Sequence, residues 1–201
     1  MKNVLVITAS LNGASGNSVK LAKQFIEKLN AKNEHIVENL DLANEDLPHL
    51  SQSEMAAWGV DEEARNEQEA TLASISDGYI SRIKQADLIV LALPMYNFDS
   101  PSVVKAFFDR LARAGVTFSY SENGPIGLIE GKKAVVIFAR GGAYQGTPMD
   151  TQTPYVKNFL GFIGIKDVEV TYAEGLAMGE ESAKAALSKI NEEFLELIEK
   201  L

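Results

Sequence analysis

The 201-residue chain contains no cysteine, which excludes disulfides, thiolate nucleophiles and Cys-based metal sites. Histidine is nearly missing as well. His35 and His49 are the only two, with no clustered carboxylates to join them, so metal ligation is not expected. No apolar run approaches a membrane span. Val4–Ile7 is far too short for the apolar region of a secretory signal, and a cytoplasmic location is the expectation. Positive charge is scarce: 19 Lys and Arg face 28 Asp and Glu, a formal charge of −9. Without a basic run, neither nucleic acid nor an anionic membrane is an expected partner. A small phosphate ligand would have to be held by backbone N–H groups and hydroxyls instead. Three catalytic signatures are also missing: the Gly-Lys-Ser/Thr ending of a Walker loop, the Gly-x-Gly-x-x-Gly fingerprint and a Gly-x-Ser-x-Gly elbow.

What is present is enough apolar material, 46% of the residues, for one domain over residues 1–201. Val4-Leu5-Val6-Ile7 reads as a strand buried on both faces. Leu21, Phe25 and Leu29 then recur at helical spacing. His35–Leu42 suggests a second strand, Leu72, Ile75, Tyr79 and Ile83 a second helix, and Asp87–Leu93 a third strand ended by Pro94. Ser100-Pro101 supplies an N-cap and a first-turn proline for the next helix, which buries Val104, Phe107, Phe108 and Leu111. Thr117–Tyr120 followed by Asn123-Gly124-Pro125 predicts a small hairpin excursion. Lys133–Ala139 and Val168–Tyr172 are further strands. Pro154–Leu160 is a short helix, and Ala186, Ile190, Phe194, Leu197 and Leu201 mark the last one. Phe107, Phe108, Phe159 and Phe194 are assigned to the core. Residues 43–63 show little periodicity and read as a long loop of the kind that serves as a lid or binding segment, with Trp58 at an interface, in a lid or packed locally. The acidic run Asp61-Glu62-Glu63 reads as a solvated face or helix start.

Strands alternating with helices imply an α/β fold, a parallel sheet covered on both faces. Five strands suit a doubly wound sheet of order 2-1-3-4-5, whose ligands sit beyond the carboxyl ends of the strands near the switch point. That rule selects three loops. Ser10 to Ser18 is rich in small and hydroxyl side chains and leads into a helix N-terminus, where unpaired N–H groups favour a phosphate. An ordinary turn capped by Ser15 or Asn17 explains it equally well. Pro94-Met95-Tyr96-Asn97-Phe98-Asp99-Ser100-Pro101 places two aromatics and a Met between two prolines, apolar bulk that either a flat ring ligand or a capped turn whose aromatics pack back on the core would explain. Ala139-Arg140-Gly141-Gly142 to Gly146 has paired glycines that permit close backbone approach; taken alone, a flexible turn explains them better. Arg140 is either a surface residue or a contact for an additional phosphate.

Longer stretches carry a resemblance. Pro94–Phe98, Ala112-Arg113-Ala114-Gly115-Val116-Thr117-Phe118, Tyr120–Pro125, Arg140-Gly141-Gly142 and Phe159-Leu160-Gly161-Phe162-Ile163-Gly164 are similar, in order and spacing, to the bacterial FMN-dependent NADH-azoreductases. These are also NADH:quinone oxidoreductases of flavodoxin-like fold. The resemblance spans essentially the whole chain. It implies a homodimer with one FMN per subunit near the interface and NADH as co-substrate. It further implies quinones and azo compounds as acceptors in two half-reactions of ping-pong order, the azo bond being cleaved to amines. Carried over by position, Ser10, Gly16, Asn17 and Ser18 hold the phosphate. Met95, Tyr96, Asn97 and Phe98 flank the ring, and Ala139, Arg140, Gly141 and Gly142 approach its pyrimidine side. Tyr120 and Phe162 shape the substrate pocket, with both subunits contributing. Position 16 often carries a hydroxyl in this family and position 139 is often Ser. Gly16 and Ala139 each remove one hydrogen bond, about 0.5–1.5 kcal/mol if formed. Two other readings stay open at this point: an acidic FMN electron carrier without its own NADH chemistry, and an α/β domain for a different phosphate ligand.

Overall fold

The computed structural model describes all residues, 1–201. Five segments pair as parallel strands, and the three central ones are apolar and β-branched enough to be buried with helices on both faces. The five are β1 (Asn3–Thr8), β2 (Ile36–Asp41), β3 (Leu88–Pro94), β6 (Lys133–Ala139) and β7 (Asp167–Ala173), in the order β2-β1-β3-β6-β7. Counted within the sheet this is the expected 2-1-3-4-5. Between β3 and β6 the chain adds an antiparallel hairpin, β4 (Phe118–Ser121) with β5 (Gly124–Gly127), as the Asn-Gly-Pro turn predicts. All seven residues of β3 are buried, whereas β2, at the edge, buries one.

One face of the sheet carries α1 (Asn17–Lys32) and α6 (Glu180–Lys200). Here Phe25 meets Phe194 edge-on, ring centroids 5.1 Å apart, over Val4, Val6 and Ile137. The other face carries α3 (Glu67–Gln85), α4 (Ser102–Leu111) and α5 (Gln152–Ile163) over Leu5, Ile7, Leu91 and Val136. Phe107, Phe108 and Phe194 are fully buried as expected. Phe159 is only half-buried but stacks on Phe108 at 4.0 Å. In α3 the buried stripe runs through Ala73, Ser76, Tyr79, Ile80 and Ile83, so Leu72 and Ile75 lie at its margin.

Several local expectations are corrected. The 43–63 segment is not a bare loop: it holds a helix, α2 (Gln52–Trp58), with Ser51 and Glu54 forming a reciprocal capping box. Glu54 also makes a two-pronged ion pair with Arg110 of α4, both bonds 2.8 Å, and the Arg110 guanidinium donates to the Pro48 carbonyl. The segment is thus fastened to the helical layer. Trp58 is packed locally, with the Arg113 guanidinium 5.5 Å from its ring. Asp61–Glu63 is exposed and opens a short turn, as expected. At α4, Pro101 occupies the N-cap and Ser102 is the first helical residue, so Ser100 does not cap it. At α1 the N-cap is Gly16, not Ser15 or Asn17, and no side chain caps the helix.

Candidate functional site

The three loops selected by topology do meet at the carboxyl ends of β1, β3 and β6. In the first, the Ser10 carbonyl accepts from Gly13 N–H at 3.0 Å, turning the chain into α1. The N–H groups of Asn17, Ser18 and Val19 have no intramolecular acceptor, the usual condition of a helix start. Beside them the Ser18 hydroxyl is buried and has no partner. A buried hydroxyl without a partner costs about 1–3 kcal/mol, so a ligand that accepts from it would remove a real penalty. Gly16 and Ser10 are coupled: a Cβ on Gly16 would lie 2.2 Å from Ser10 Oγ and 2.9 Å from its Cβ. Gly16 is therefore the residue that makes room for Ser10.

The second loop is a tight turn. Tyr96 N–H donates to Asp99 O at 2.7 Å and Asp99 N–H returns to Tyr96 O at 3.2 Å. Its two central residues, Asn97 (φ 51°) and Phe98 (φ 71°), are the chain's two non-glycine residues with left-handed backbone. That geometry suits an Asn-Gly pair; a Phe there is held at a cost of about 1–2 kcal/mol. The N–H groups of Asn97 and Phe98 are unpaired, and Phe98 is 46% exposed. The turn is braced from both sides. Tyr96 Oη accepts from Leu11 N–H at 3.2 Å, joining it to the first loop, and Thr151 Oγ1 donates to Phe98 O at 2.6 Å.

In the third loop the carbonyls of Arg140, Gly141 and Gly142 accept from the N–H groups of Leu176, Ala177 and Gly175 at 3.1, 2.9 and 3.0 Å. A trans peptide points N–H opposite to C=O. The N–H groups of Gly141, Gly142 and Ala143 are thereby turned away from residues 175–177, and none has an internal acceptor. Consecutive free amides of this kind form a concavity for negative charge. Tyr144 covers this loop: a Cβ on Gly142 would fall 2.7 Å from the Tyr144 ring, which meets Phe98 edge-on at 5.8 Å.

Arg140 is neither a surface residue nor available to a ligand phosphate. Its side chain is fully buried, bonded to Asp150 Oδ1 (2.8 Å), Glu174 Oε1 (2.9 Å), Thr153 Oγ1 (2.8 Å) and Gln152 Oε1 (3.2 Å). Its guanidinium lies 4.6 Å from the Phe138 ring centroid. Burial alone would raise the Asp150 pKa, but the Arg140 bond and charge and the Thr153 bonds outweigh it and hold the carboxyl below its ordinary value. Tyr79 and Tyr155 are both pushed up to about 12, chiefly by burial and then by Glu45 and by Asp109 and Asp99 respectively. Neither is placed for proton transfer near neutral pH.

Tyr120 and Phe162 come together with Phe118, but at the other end of the molecule. Phe162 lies 4.3 Å from Phe118, which meets Tyr120 at 5.5 Å. Gln152, at the start of α5, bonds the Pro94 carbonyl. Ten residues later along that helix, about 15 Å at 1.5 Å per residue, stands Phe162. The left-handed Gly164 (φ 108°) ends α5 against the hairpin, where a Cβ on Gly127 would fall 2.1 Å from Gly164 N. Tyr120 is 75% exposed.

Residues 2–198 match a family described by its flavodoxin-like fold. The chain belongs to this flavodoxin-like family. Within it, the chain is 54% identical over 197 residues to an FMN-dependent NADH:quinone oxidoreductase of Alteromonas mediterranea, covering 98% of each. A protein of the same description from Pseudoalteromonas atlantica is 46% identical over 198 residues, again covering 98% of each. Among solved structures, an azoreductase from Bacillus anthracis superposes with TM-score 0.89 at 30% identity over 100% of both chains. An FMN-dependent NADH-azoreductase from the same species, in complex with FMN, gives TM-score 0.84 at 26% identity over 98% of this chain and 100% of that one.

For this flavodoxin-like chain, sequence reasoning missed Gln152, Asp150, Glu174 and Tyr144. Tyr144 had a readable signal, an aromatic in a glycine-rich loop at the binding edge. Gln152 had none, since its role arises from partners 12 and 58 positions away. No helix is long and apolar enough to cross a membrane.

Proposed function

We propose that this chain is an FMN-dependent oxidoreductase that uses NADH to reduce quinones and azo compounds. The observation that carries this is the loop edge itself. A buried, unpartnered Ser18 hydroxyl and three free amides stand at the start of α1, with the free amides of Asn97–Phe98 and Gly141–Ala143 on the adjoining loops. This set fits a ligand with an anionic tail and a flat, acceptor-rich head. Bound FMN supplies the two-electron chemistry between NADH and the acceptor; the protein binds, orients and tunes it. Ser10, Gly16, Asn17 and Ser18 form the phosphate end. Met95, Tyr96, Asn97 and Phe98 form a stiff wall for the ring. Ala139, Arg140, Gly141 and Gly142 form the third side, where Gly141 and Gly142 offer amides that favour negative charge and Arg140 works from within the protein. The NADH:quinone oxidoreductase and azoreductase descriptions of the relatives agree with this reading.

We infer the finer claims from this reading. Residues 1–201 act as one domain in a homodimer. A chain's own Tyr120 and Phe162 lie a helix length from its loop edge, so they enter a substrate pocket only when a second copy presents them. Exposed Leu11 (74%), Phe98 (46%) and Met149 (49%) give the loop edge apolar surface for such a copy to cover. One pocket serving donor and acceptor in turn gives a ping-pong order, and the cytoplasm, where NADH is found, is the location. Anaerobic NADH should bleach the yellow FMN-loaded protein, and a quinone should restore the colour. A loaded protein that NADH leaves yellow would indicate an electron carrier instead. A protein that stays colourless when FMN is added would indicate a different phosphate ligand.

A further inference from the structure

Two of the three loops at the site are joined through the protein interior by a side chain that touches neither ring wall nor phosphate end. Gln152 accepts from Arg140 Nε at 3.2 Å, while its own amide donates to the Pro94 carbonyl at 2.9 Å and to Ser100 Oγ at 3.1 Å. Gln152 is fully buried, as is Arg140. On one side of this link stands the segment whose Gly141 and Gly142 amides are free. On the other stands the turn that holds Asn97 and Phe98 in left-handed geometry. Ser100 belongs to the link and does not cap α4, whose N-cap is Pro101. Arg140 in turn is clamped by Asp150 and Glu174, so the link has one rigid end.

We infer that Gln152 is a positioning residue that sets the Asn97–Phe98 and Gly141–Gly142 amides as a single unit toward bound FMN. A buried amide with all three of these bonds made has one orientation, because reversing it would place its NH₂ against Arg140 Nε and its oxygen against the Pro94 carbonyl. Removing it leaves the Pro94 carbonyl without its bond and lets the turn relax independently of the glycine loop. The amides would then still bind the ring but would no longer meet the added charge of its reduced form together. Preorganised donors favour charge in proportion to how well they are fixed.

This inference rests on the FMN reading, and the experiment separates the two. Gln152→Leu is purified, loaded with FMN, and compared with the parent for FMN dissociation constant by fluorescence and for two-electron midpoint potential by equilibration with a reference dye. The parent should bind FMN. In the variant, affinity for oxidised FMN should fall severalfold. Affinity for the reduced form should fall about tenfold more, which lowers the midpoint potential by about 30 mV. A merely structural role would lower the melting temperature and leave the potential in place, and that result would overturn the inference. If Gln152→Leu does not fold, Ser100→Ala, which removes one of the three bonds at a half-buried position, should move the potential the same way by a smaller amount; no movement there overturns it equally. A parent that binds no FMN would overturn the FMN reading and this inference with it.

Discussion

Replacing Ser18 with alanine should stabilise the empty protein and weaken it as a binder, two effects of opposite sign from one oxygen atom. Ser18 is 1% exposed and its hydroxyl has no partner. Deleting a buried, unpartnered polar group recovers its desolvation penalty, about 1–3 kcal/mol. Alanine also has the higher helix propensity, worth a further ~0.5 kcal/mol at most in the first turn. Against this stands the lost packing of one oxygen. The net expectation is about 1 kcal/mol of added stability without FMN, or roughly 2–4 °C in Tm for a chain of this size. With FMN the sign reverses. A hydroxyl donating to a phosphate makes a charge-assisted bond worth about 1.5–3 kcal/mol, so the FMN dissociation constant should rise about ten- to a hundredfold. Calorimetry of the apoprotein and fluorescence titration with FMN read the two quantities separately. A variant that is less stable when empty, or that binds FMN within twofold of the parent, would refute the assignment of Ser18 to the phosphate end.

Arg110→Met should cost about 3–5 kcal/mol by stranding Glu54 in the interior, whereas pairing it with Glu54→Leu should recover most of that loss; calorimetry checks both, and a single variant within 1 kcal/mol of the parent would contradict the burial of this pair. Asp150→Asn should destabilise the protein at neutral pH. The folded-state pKa of Asp150 is depressed, so its stabilisation is present above the ordinary carboxylate pKa of ~3.9 and is lost as pH falls through the folded value. Parent and variant should therefore converge in stability at acid pH, and a gap constant from pH 7 to pH 3 would be inconsistent with the Arg140 pairing. Gly16→Ser should not raise FMN affinity despite the added hydroxyl, because its Cβ would fall within 2.2 Å of Ser10 Oγ; tighter binding in a titration would show that Ser10 moves aside without cost. Gly142→Val should displace the Tyr144 ring, 2.7 Å from the new Cβ, and thereby lower FMN affinity by fluorescence titration.

How far the sequence could be read follows from where each signal resides. The three central strands were legible because burial on both faces demands continuous apolar runs, and Val4–Ile7, Asp87–Leu93 and Lys133–Ala139 supply them locally. The three loops followed from strand order alone. α2 escaped because seven residues show barely two turns of periodicity, and its real signal was the Ser51–Glu54 capping box. Ser100-Pro101 misled because the helix starts one residue later than the pattern suggests: Pro101 is the N-cap, and the Ser100 hydroxyl accepts from Gln152. Arg140 shows the same limit most plainly. A lone arginine beside two glycines in an acidic chain reads as exposed, and only its pairing with Asp150, ten positions on, and Glu174, 34 on, makes burial affordable.

Arg140 plays a part in its segment that local chemistry could not supply. Its backbone continues into the free amides of Gly141 and Gly142, while its side chain points inward to Asp150 and Glu174. Gly16 carries the complementary lesson, since what looks like a missing hydroxyl is the space that Ser10 occupies. A residue type can be common at a site because of what it touches, what it braces, or what it leaves room for. In the proposed site Ser18, Arg140 and Gly16 would fall one into each case, and a spacing pattern treats all three alike. What separates them is local: a free hydroxyl at Ser18, buried pairings at Arg140 and a missing Cβ clearance at Gly16.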